Sequence, residues 1–164
     1  MMKIRRIISG GQTGADRAAF DFALENRIES GGFVPKNRAA EDGSISEKYP
    51  GLIETETENP AARTELNVIN ADATLIFSHG ELKGGSKLTK EFAEKHRKPF
   101  LHIDFSEFTI EQAVEKTKIR LASIEGETLN IAGARASEDA EIYGKTKEFL
   151  KGLFKQDGQD RQDG

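Results

Sequence analysis

The chain lacks several features that would define its class at once. It contains no cysteine, which excludes disulfide bridges and thiolate metal sites. No apolar run approaches the roughly 20 residues of a membrane-spanning helix, and no apolar signal segment opens the sequence. Positive charge is not in excess, since 24 Lys and Arg residues face 28 Asp and Glu residues, whereas nucleic-acid-binding proteins typically carry a basic surface. We therefore expect a cytoplasmic protein that binds neither membranes nor nucleic acids.

Histidine is scarce as well. The three histidines, His79, His96 and His102, show no metal-ligand spacing, so we expect no metal held by protein side chains. The length of 164 residues is typical of one domain. We assign residues 1–155 to that domain and residues 156–164, which are polar and almost without apolar side chains, to a disordered tail.

The most informative stretch is residues 7–16 (IISGGQTGAD), which runs from a short apolar strand through a glycine-rich turn into a helix. In a parallel α/β sheet such a turn lies at the carboxyl edge of the strand. The first N–H groups of the helix have no internal partner there, and glycines allow an anion to approach them. Residues 10–14, the first glycine turn, therefore predict a phosphate-recognition loop. A tight turn that binds nothing is an equal alternative at this point.

The first glycine turn differs from two known types of nucleotide loop. The Rossmann fingerprint is G-x-G-x-x-G, and this chain has Ser9 at the position of the first glycine. The candidate second strand, residues 33–35, is followed by Lys36, where the fingerprint requires an acidic residue that holds a ribose. No Gly-Lys-Ser/Thr sequence closes the loop, as a Walker motif requires. NAD binding and a Walker-type site are both disfavoured.

A second unit of the same kind follows. Residues 74–77 predict a buried strand, and residues 84–86 (GGS), the second glycine turn, open a helix with bare N–H groups and a hydroxyl. Between the two units, Asn59 and Pro60 are typical of a helix start and place Arg63 in the first helical turn, at the same sheet edge. Two glycine turns and an arginine at one edge favour an anion-binding site.

Strand and helix patterns alternate along the chain and predict an α/β fold. We expect a single three-layer Rossmann-like domain, with a mostly parallel sheet of about five or more strands and helices on both faces. Residues 36–58 break the alternation, since they show neither strand nor helix period, and we interpret them as a loop that covers the site. A mobile surface excursion is the alternative. Within them Glu54, Glu56 and Glu58 alternate with threonine, as in an exposed edge strand.

Six segments resemble, in the same order, the molybdenum cofactor carrier family of the SLOG superfamily, which is related to the lysine-decarboxylase-like proteins. They are residues 9–16 (SGGQTGAD), 35–43 (PKNRAAEDG), 63–68 (RTELNV), 72–76 (DATLI), 84–86 (GGS) with Thr89, and 129–137 (LNIAGARAS). The resemblance as a whole covers about residues 4–154, which is nearly the whole chain.

The resemblance implies a Rossmann-like domain that self-associates into homo-oligomers. It also implies a small phosphate-bearing ligand, either the molybdenum cofactor (molybdopterin) or a nucleotide. Carried over by position, it gives two phosphate cradles with polar and cationic neighbours. The implied binding residues are Gly10, Gly11, Gln12, Thr13, Gly14, Asp16, Arg17, Arg63, Ser78, Gly84, Gly85, Ser86, Thr89 and Arg135.

Two functions remain open at this stage. The first is a binding protein that holds its ligand without transforming it, because no nucleophile and base stand out as a pair. The second is implied by the wider superfamily, in which some members hydrolyse the N-glycosidic bond of a nucleoside monophosphate. In that case Glu91 or Asp16 would be catalytic. Lys87 and Leu88 interrupt the Gly-Gly-x-Gly-Thr pattern of those hydrolases.

Overall fold

The computed structural model describes residues 3–155 of the chain, so the predicted disordered tail, residues 156–164, lies outside the described residues. A short 3-10 helix, Lys36–Arg38, precedes the third strand. In chain order the strands and longer helices are β1 (Arg6–Ser9), α1 (Ala15–Glu25), β2 (Glu29–Val34), β3 (Ala39–Ala40), β4 (Gly43–Ser44), β5 (Leu52–Glu54), α2 (Pro60–Asn70), β6 (Ala73–Ser78), α3 (Gly84–Lys95), β7 (Phe100–Asp104), α4 (Ile110–Ala122), β8 (Thr128–Gly133) and α5 (Ile142–Phe154).

Six strands form one sheet in the order β5-β2-β1-β8-β6-β7, and all neighbouring pairs in it are parallel. The short strands β3 and β4 form a separate antiparallel pair. Every residue of β6 is buried, as expected for a strand inside a parallel sheet that is covered on both faces. The predicted α/β fold with a mostly parallel sheet is confirmed.

Helices cover both faces of this sheet. Helix α5 packs between α1 and α4, while α2 packs against α3. The main core includes Phe77 of β6 and Phe149 of α5, whose ring centroids are 4.9 Å apart. In residues 3–155 no helix is both long enough and apolar enough to span a membrane.

Residues 36–58 are more ordered than their sequence pattern indicates. Ile45 and Tyr49 pack with Phe20 and Val34 in a small second core, and the Tyr49 hydroxyl donates a hydrogen bond to Asp21 of α1. The segment also supplies β5, which pairs in parallel with β2 at the edge of the sheet. Apolar anchors therefore fix a stretch that has no regular period.

The second strand begins earlier than the sequence predicts, because its glycines belong to the strand. Gly31 and Gly32 lie inside β2. A Cβ on Gly31 would be 2.6 Å from the Gly51 carbonyl oxygen, and one on Gly32 would be 2.5 Å from the Ser9 carbonyl oxygen. Glycine at these positions lets neighbouring backbone approach closely.

The buried face of α2 is largely polar. The helix begins at Pro60, as predicted, and the Asn59 side chain caps it by accepting a hydrogen bond from the Ala61 N–H. The apolar Ile69 is 38% exposed, whereas Arg63 and Asn67 are buried. Polar residues occupy this face because it borders a cavity.

Candidate functional site

A cavity of about 210 Å³ opens at the carboxyl edge of the sheet. Its walls come from the turn after β1, the end of β8 with the segment that follows it, and the helices α2 and α3. Because the strands are parallel, these segments meet at one edge. The predicted binding residues that line the cavity are Gly10, Gln12, Asp16, Arg63, Gly84, Gly85, Ser86, Thr89 and Arg135. Residues of both glycine turns thus lie around one cavity.

The second glycine turn provides free hydrogen-bond donors. Lys83, the residue before α3, gives no side-chain cap, and the N–H groups of Gly84 and Gly85 have no acceptor among residues 3–155. A Cβ added to Gly85 would meet no atom within 4 Å. Ser86 is only 7% exposed, yet its Oγ has no hydrogen-bond partner in the described part of the chain. Unpaired donors at the start of a helix are groups to which anions commonly bind in proteins.

The first glycine turn uses its amide groups inside the protein. The Gln12 N–H donates to Asp16 Oδ2 at 3.1 Å, the Thr13 N–H donates to Gln12 Oε1 at 3.0 Å, and the Ala15 N–H donates to the Ala134 carbonyl oxygen at 3.1 Å. A carboxylate and a carbonyl therefore already occupy the positive end of α1. The N–H groups of Gln12, Thr13 and Ala15 therefore already have acceptors within the protein, whereas the sequence predicted that they would be free.

The glycines of the first turn admit protein groups. A Cβ on Gly14 would be 2.3 Å from the Ala134 carbonyl oxygen, and Gly14 has a φ of +80°. A Cβ on Gly10 would be 2.2 Å from Nε of Arg63. The first glycine turn is a wall of the cavity that packs closely against two other segments of the chain.

Arg63 is the buried cation of the cavity, with 8% of its surface exposed. Its Nε donates to the Gly10 carbonyl oxygen at 3.3 Å, and its Nη1 donates to the Pro60 carbonyl oxygen and to Thr64 Oγ1, both at 2.8 Å. Its Nη2 has no acceptor among the described residues. Burial lowers the pKa of the guanidinium and the Asp16 charge opposes this shift, but arginine stays cationic in proteins.

Asp16 places a carboxyl group in the same cavity and is 6% exposed. Burial raises its pKa from 3.8 to about 6, against the charge of Arg63 and the hydrogen bond from Gln12, which lower it. At neutral pH the group is mostly ionised. Near pH 6 it is close to half protonated, so mild acid removes a negative charge from the cavity.

Arg135 lines the cavity, but its charge is compensated. Its Nε lies 3.3 Å from Glu138 Oε1 and 3.6 Å from Glu41 Oε2. Glu41 also accepts hydrogen bonds from the Thr13 hydroxyl and from both the N–H and the hydroxyl of Ser137. The hydrogen bond from the Ser137 hydroxyl is the main cause of the lowered pKa of Glu41.

These contacts change the interpretation of residues 36–58. None of them lines the cavity, so the expectation of a loop that covers the site is wrong for this cavity. Glu41 instead connects the turn after β1 to the segment after β8, and its N–H donates to Gln12 Oε1 at 2.9 Å. Residues 36–58 therefore contact two of the segments that form the cavity walls.

Five implied residues do not line the cavity. Gly11, Thr13 and Gly14 belong to the first glycine turn but are not part of its cavity surface. The Arg17 guanidinium pairs with Asp42, with Nη1 and Oδ2 2.9 Å apart. Ser78 Oγ donates to the Gly80 carbonyl oxygen at 2.7 Å and lies 2.6 Å from His102 Nε2.

The two candidate catalytic carboxylates are placed differently. Asp16 lines the cavity, whereas Glu91 is exposed on α3 and does not line it. Sequence reasoning missed two lining asparagines: Asn67, which bonds to both backbone polar groups of Phe33, and Asn130, which is 3% exposed on β8. An asparagine within a buried apolar strand is a signal that could have indicated Asn130.

Comparison with known proteins gives a consistent result. The model of the circularly permutated YpsA SLOG family matches residues 7–154. Among solved structures, the crystal structure of a “putative molybdenum carrier protein” from Syntrophus aciditrophicus is 49% identical and has a TM-score of 0.89, over 94% of this chain and 97% of that chain. No curated protein matches the chain.

Proposed function

The chain belongs to the circularly permutated YpsA SLOG family, and on this premise we propose that it is a binding protein for a small phosphate-bearing ligand. The ligand is of pterin or nucleotide type, and it lies in the cavity at the carboxyl edge of the sheet with its phosphate on α3. The protein holds this molecule without transforming it.

One observation carries the proposal. The N–H groups of Gly84 and Gly85, the Ser86 hydroxyl and Nη2 of Arg63 belong to residues that line one cavity, and these donors have no acceptor within residues 3–155. A phosphate offers several acceptor oxygens at once. The start of α3 adds about half a positive charge. An anion is the ligand that satisfies all four donors.

The name of the similar structure supports the molybdenum cofactor as one candidate cargo. The pterin phosphate of that molecule suits the donors of α3 and Arg63. The chain has no cysteine to hold the metal, so we expect the grip to be on the phosphate. A nucleotide presents the same phosphate chemistry and is the other candidate.

Arg63→Ala tests the proposal because it removes the buried cation. A charge-assisted hydrogen bond contributes about 1.5–3 kcal/mol, so the affinity should fall about 10- to 150-fold. We would titrate the purified full chain with molybdopterin and with AMP by calorimetry, after circular dichroism shows that the variant is folded. Arg120→Ala, which changes an exposed arginine of α4, is the matched control and should bind as the wild type does.

Arg63→Lys keeps the charge but loses the planar fork, so its affinity should lie between those of the wild type and Arg63→Ala. If neither ligand binds the wild type at high micromolar concentration, or if Arg120→Ala weakens binding as much as Arg63→Ala, the proposal fails.

A second candidate function is favoured by Asp16 alone. Its carboxyl group lies in the cavity with a pKa raised by burial to about 6, a value that suits general acid–base catalysis. Incubation with nucleoside monophosphates followed by chromatography would detect hydrolysis as free base. Release of base by the wild type that disappears in Asp16→Asn and persists in Glu91→Gln would favour the hydrolase over the binding protein.

A further inference from the structure

Three side chains outside the cavity lie close together. His79 directly follows β6, while Asp139 and Glu141 come shortly before α5. His79 Nδ1 lies 2.5 Å from Asp139 Oδ2, and His79 Nε2 lies 4.0 Å from Glu141 Oε2. One candidate ligand atom from each residue lies within 4.8 Å of the others. His79 and Asp139 are 60 residues apart in the sequence, so no spacing pattern could reveal the cluster.

We infer that His79 and Glu141, with Asp139 behind the imidazole, form a binding site for a divalent first-row transition-metal ion such as Zn²⁺ or Co²⁺. Imidazole nitrogen together with carboxylate oxygen is a ligand set that such ions accept readily, whereas Mg²⁺ and Ca²⁺ prefer oxygen ligands throughout. The inference does not depend on the ligand of the cavity.

The contact with Asp139 prepares His79 as a ligand. When the Nδ1–H group donates a hydrogen bond to a carboxylate, the lone pair of Nε2 is free to bind a metal. Most metal-binding histidines donate their other ring N–H to a carboxylate, a backbone carbonyl or water. Asp139 is itself fixed, because its Oδ1 accepts a hydrogen bond from the Glu141 N–H at 3.0 Å. The Asp139 side chain is 15% exposed and that of His79 is 25% exposed, so the pair is partly shielded from water.

The two outer ligand atoms lie slightly farther apart than a bound ion requires. Tetrahedral coordination with bonds of about 2.0–2.2 Å holds two ligand atoms about 3.4 Å apart. His79 Nε2 and Glu141 Oε2 are 4.0 Å apart, so a small movement of the Glu141 side chain brings both to one ion. The Glu141 side chain is 77% exposed, so it can turn to reach the ion, and water can complete the coordination.

Charge also favours a cation. Two carboxylates beside a neutral imidazole carry a charge of about −2, which a divalent ion neutralises. The metal would in addition connect the segment that leads into α3 with the segment that leads into α5, so its binding should raise the melting temperature.

The test is a titration of the metal-stripped full chain, without a polyhistidine tag, with Zn²⁺ at pH 7.5 by calorimetry. We expect one ion per chain. His79→Gln should lower the affinity by at least about tenfold, and Asp139→Asn should lower it about 10- to 100-fold, as removal of an orienting carboxylate does elsewhere. Glu141→Gln changes an exposed side chain that the fold does not need, and it should also weaken binding.

His96→Gln is the matched control. His96 Nε2 lies 2.6 Å from Glu65 Oε2, so it has the same imidazole–carboxylate contact, but among the described residues it has no second carboxylate placed to share a metal ion with it. This variant should bind Zn²⁺ as the wild type does. The inference is overturned if the wild type shows no saturable binding below millimolar Zn²⁺, or if His96→Gln lowers the affinity as much as His79→Gln or Glu141→Gln.

Discussion

The two glycine turns look alike in the sequence but differ in the structure. In the first turn, residues 10–14, the N–H groups of Gln12 and Thr13 bond to side chains of the protein, and a Cβ on Gly14 would strike the Ala134 carbonyl oxygen. In the second turn, residues 84–86, the space beside Gly85 is open. Glycine serves close packing between chain segments in one turn and access to a helix end in the other.

This difference shows that a glycine-rich turn before a helix does not by itself define an anion site. What decides is whether the protein already supplies acceptors for the amide groups. Asp16 supplies one in the first turn, whereas no described residue supplies one for Gly84 and Gly85. The comparison can be tested by changing equivalent positions in the two turns.

The largest expected effect is that of Gly14→Ala compared with Gly85→Ala. At Gly14 an added Cβ would be 2.3 Å from the Ala134 carbonyl oxygen, at a φ of +80° that side chains rarely adopt. We expect a loss of about 2–5 kcal/mol from the combined overpacking and backbone strain. At Gly85 there is no clash, and alanine in a helix is preferred over glycine by up to about 1 kcal/mol.

Chemical denaturation of both variants measures this difference in the free energy of unfolding. Gly85→Ala should be as stable as the wild type or slightly more so, while its methyl group lies beside the amide donors and should weaken anion binding. Equal stability of the two variants would remove the physical distinction between the turns.

The next largest effect comes from Asp16 in the first turn. Its pKa is about 6 in the folded protein, against an ordinary value of 3.8, so the folded chain binds this proton more tightly than the unfolded chain. The stability that the group contributes is therefore highest below about pH 4 and falls as the pH rises through about 6. The difference between the two values corresponds to about 3 kcal/mol at most.

Asp16→Asn should therefore become more stable relative to the wild type as the pH rises from 4.5 to 7, and then level off, as urea denaturation at each pH would show. Asp42→Asn is the control, because the hydrogen bond from Arg17 lowers the pKa of Asp42, and its effect should be constant between pH 5 and 8. Sulfate, whose charge is constant in this range, should bind the wild type more tightly as the pH falls through 6, but Asp16→Asn equally at every pH.

The sequence was sufficient for the fold and for the sheet edge that carries the cavity. Asn59 with Pro60 located the start of α2, because a helix start depends on residues that are neighbours along the chain. The glycines of β2 were misplaced since their reason is the approach of Gly51 and Ser9, which are distant along the chain. Long-range contacts of this kind leave no local pattern.

The candidate site also has parts that local sequence predicts and parts that depend on distant residues. Arg63, Gly84, Gly85 and Ser86 follow from helix starts and from the parallel sheet, and the structure places all of them on one cavity. The compensation of Arg135 by Glu138 and by Glu41 depends in part on a second chain segment, since Glu41 is distant from Arg135 along the chain. Sequence spacing could identify a cation there but could not show that its charge is already satisfied.

The smallest expected effects come from removing one hydroxyl group from each turn, that of Thr13 and that of Ser86. Thr13 Oγ1 donates to Glu41 and accepts from the Ala136 N–H at 3.0 Å, so Thr13→Val should lower the free energy of unfolding by about 1 kcal/mol. Ser86 Oγ has no such partner within residues 3–155, so Ser86→Ala should leave stability unchanged and weaken anion binding by about 1 kcal/mol, or roughly fivefold. Denaturation and sulfate titration of both variants give four values. If Thr13→Val weakens binding more than Ser86→Ala does, the anion contacts the first turn, and the division of roles between the two turns is wrong.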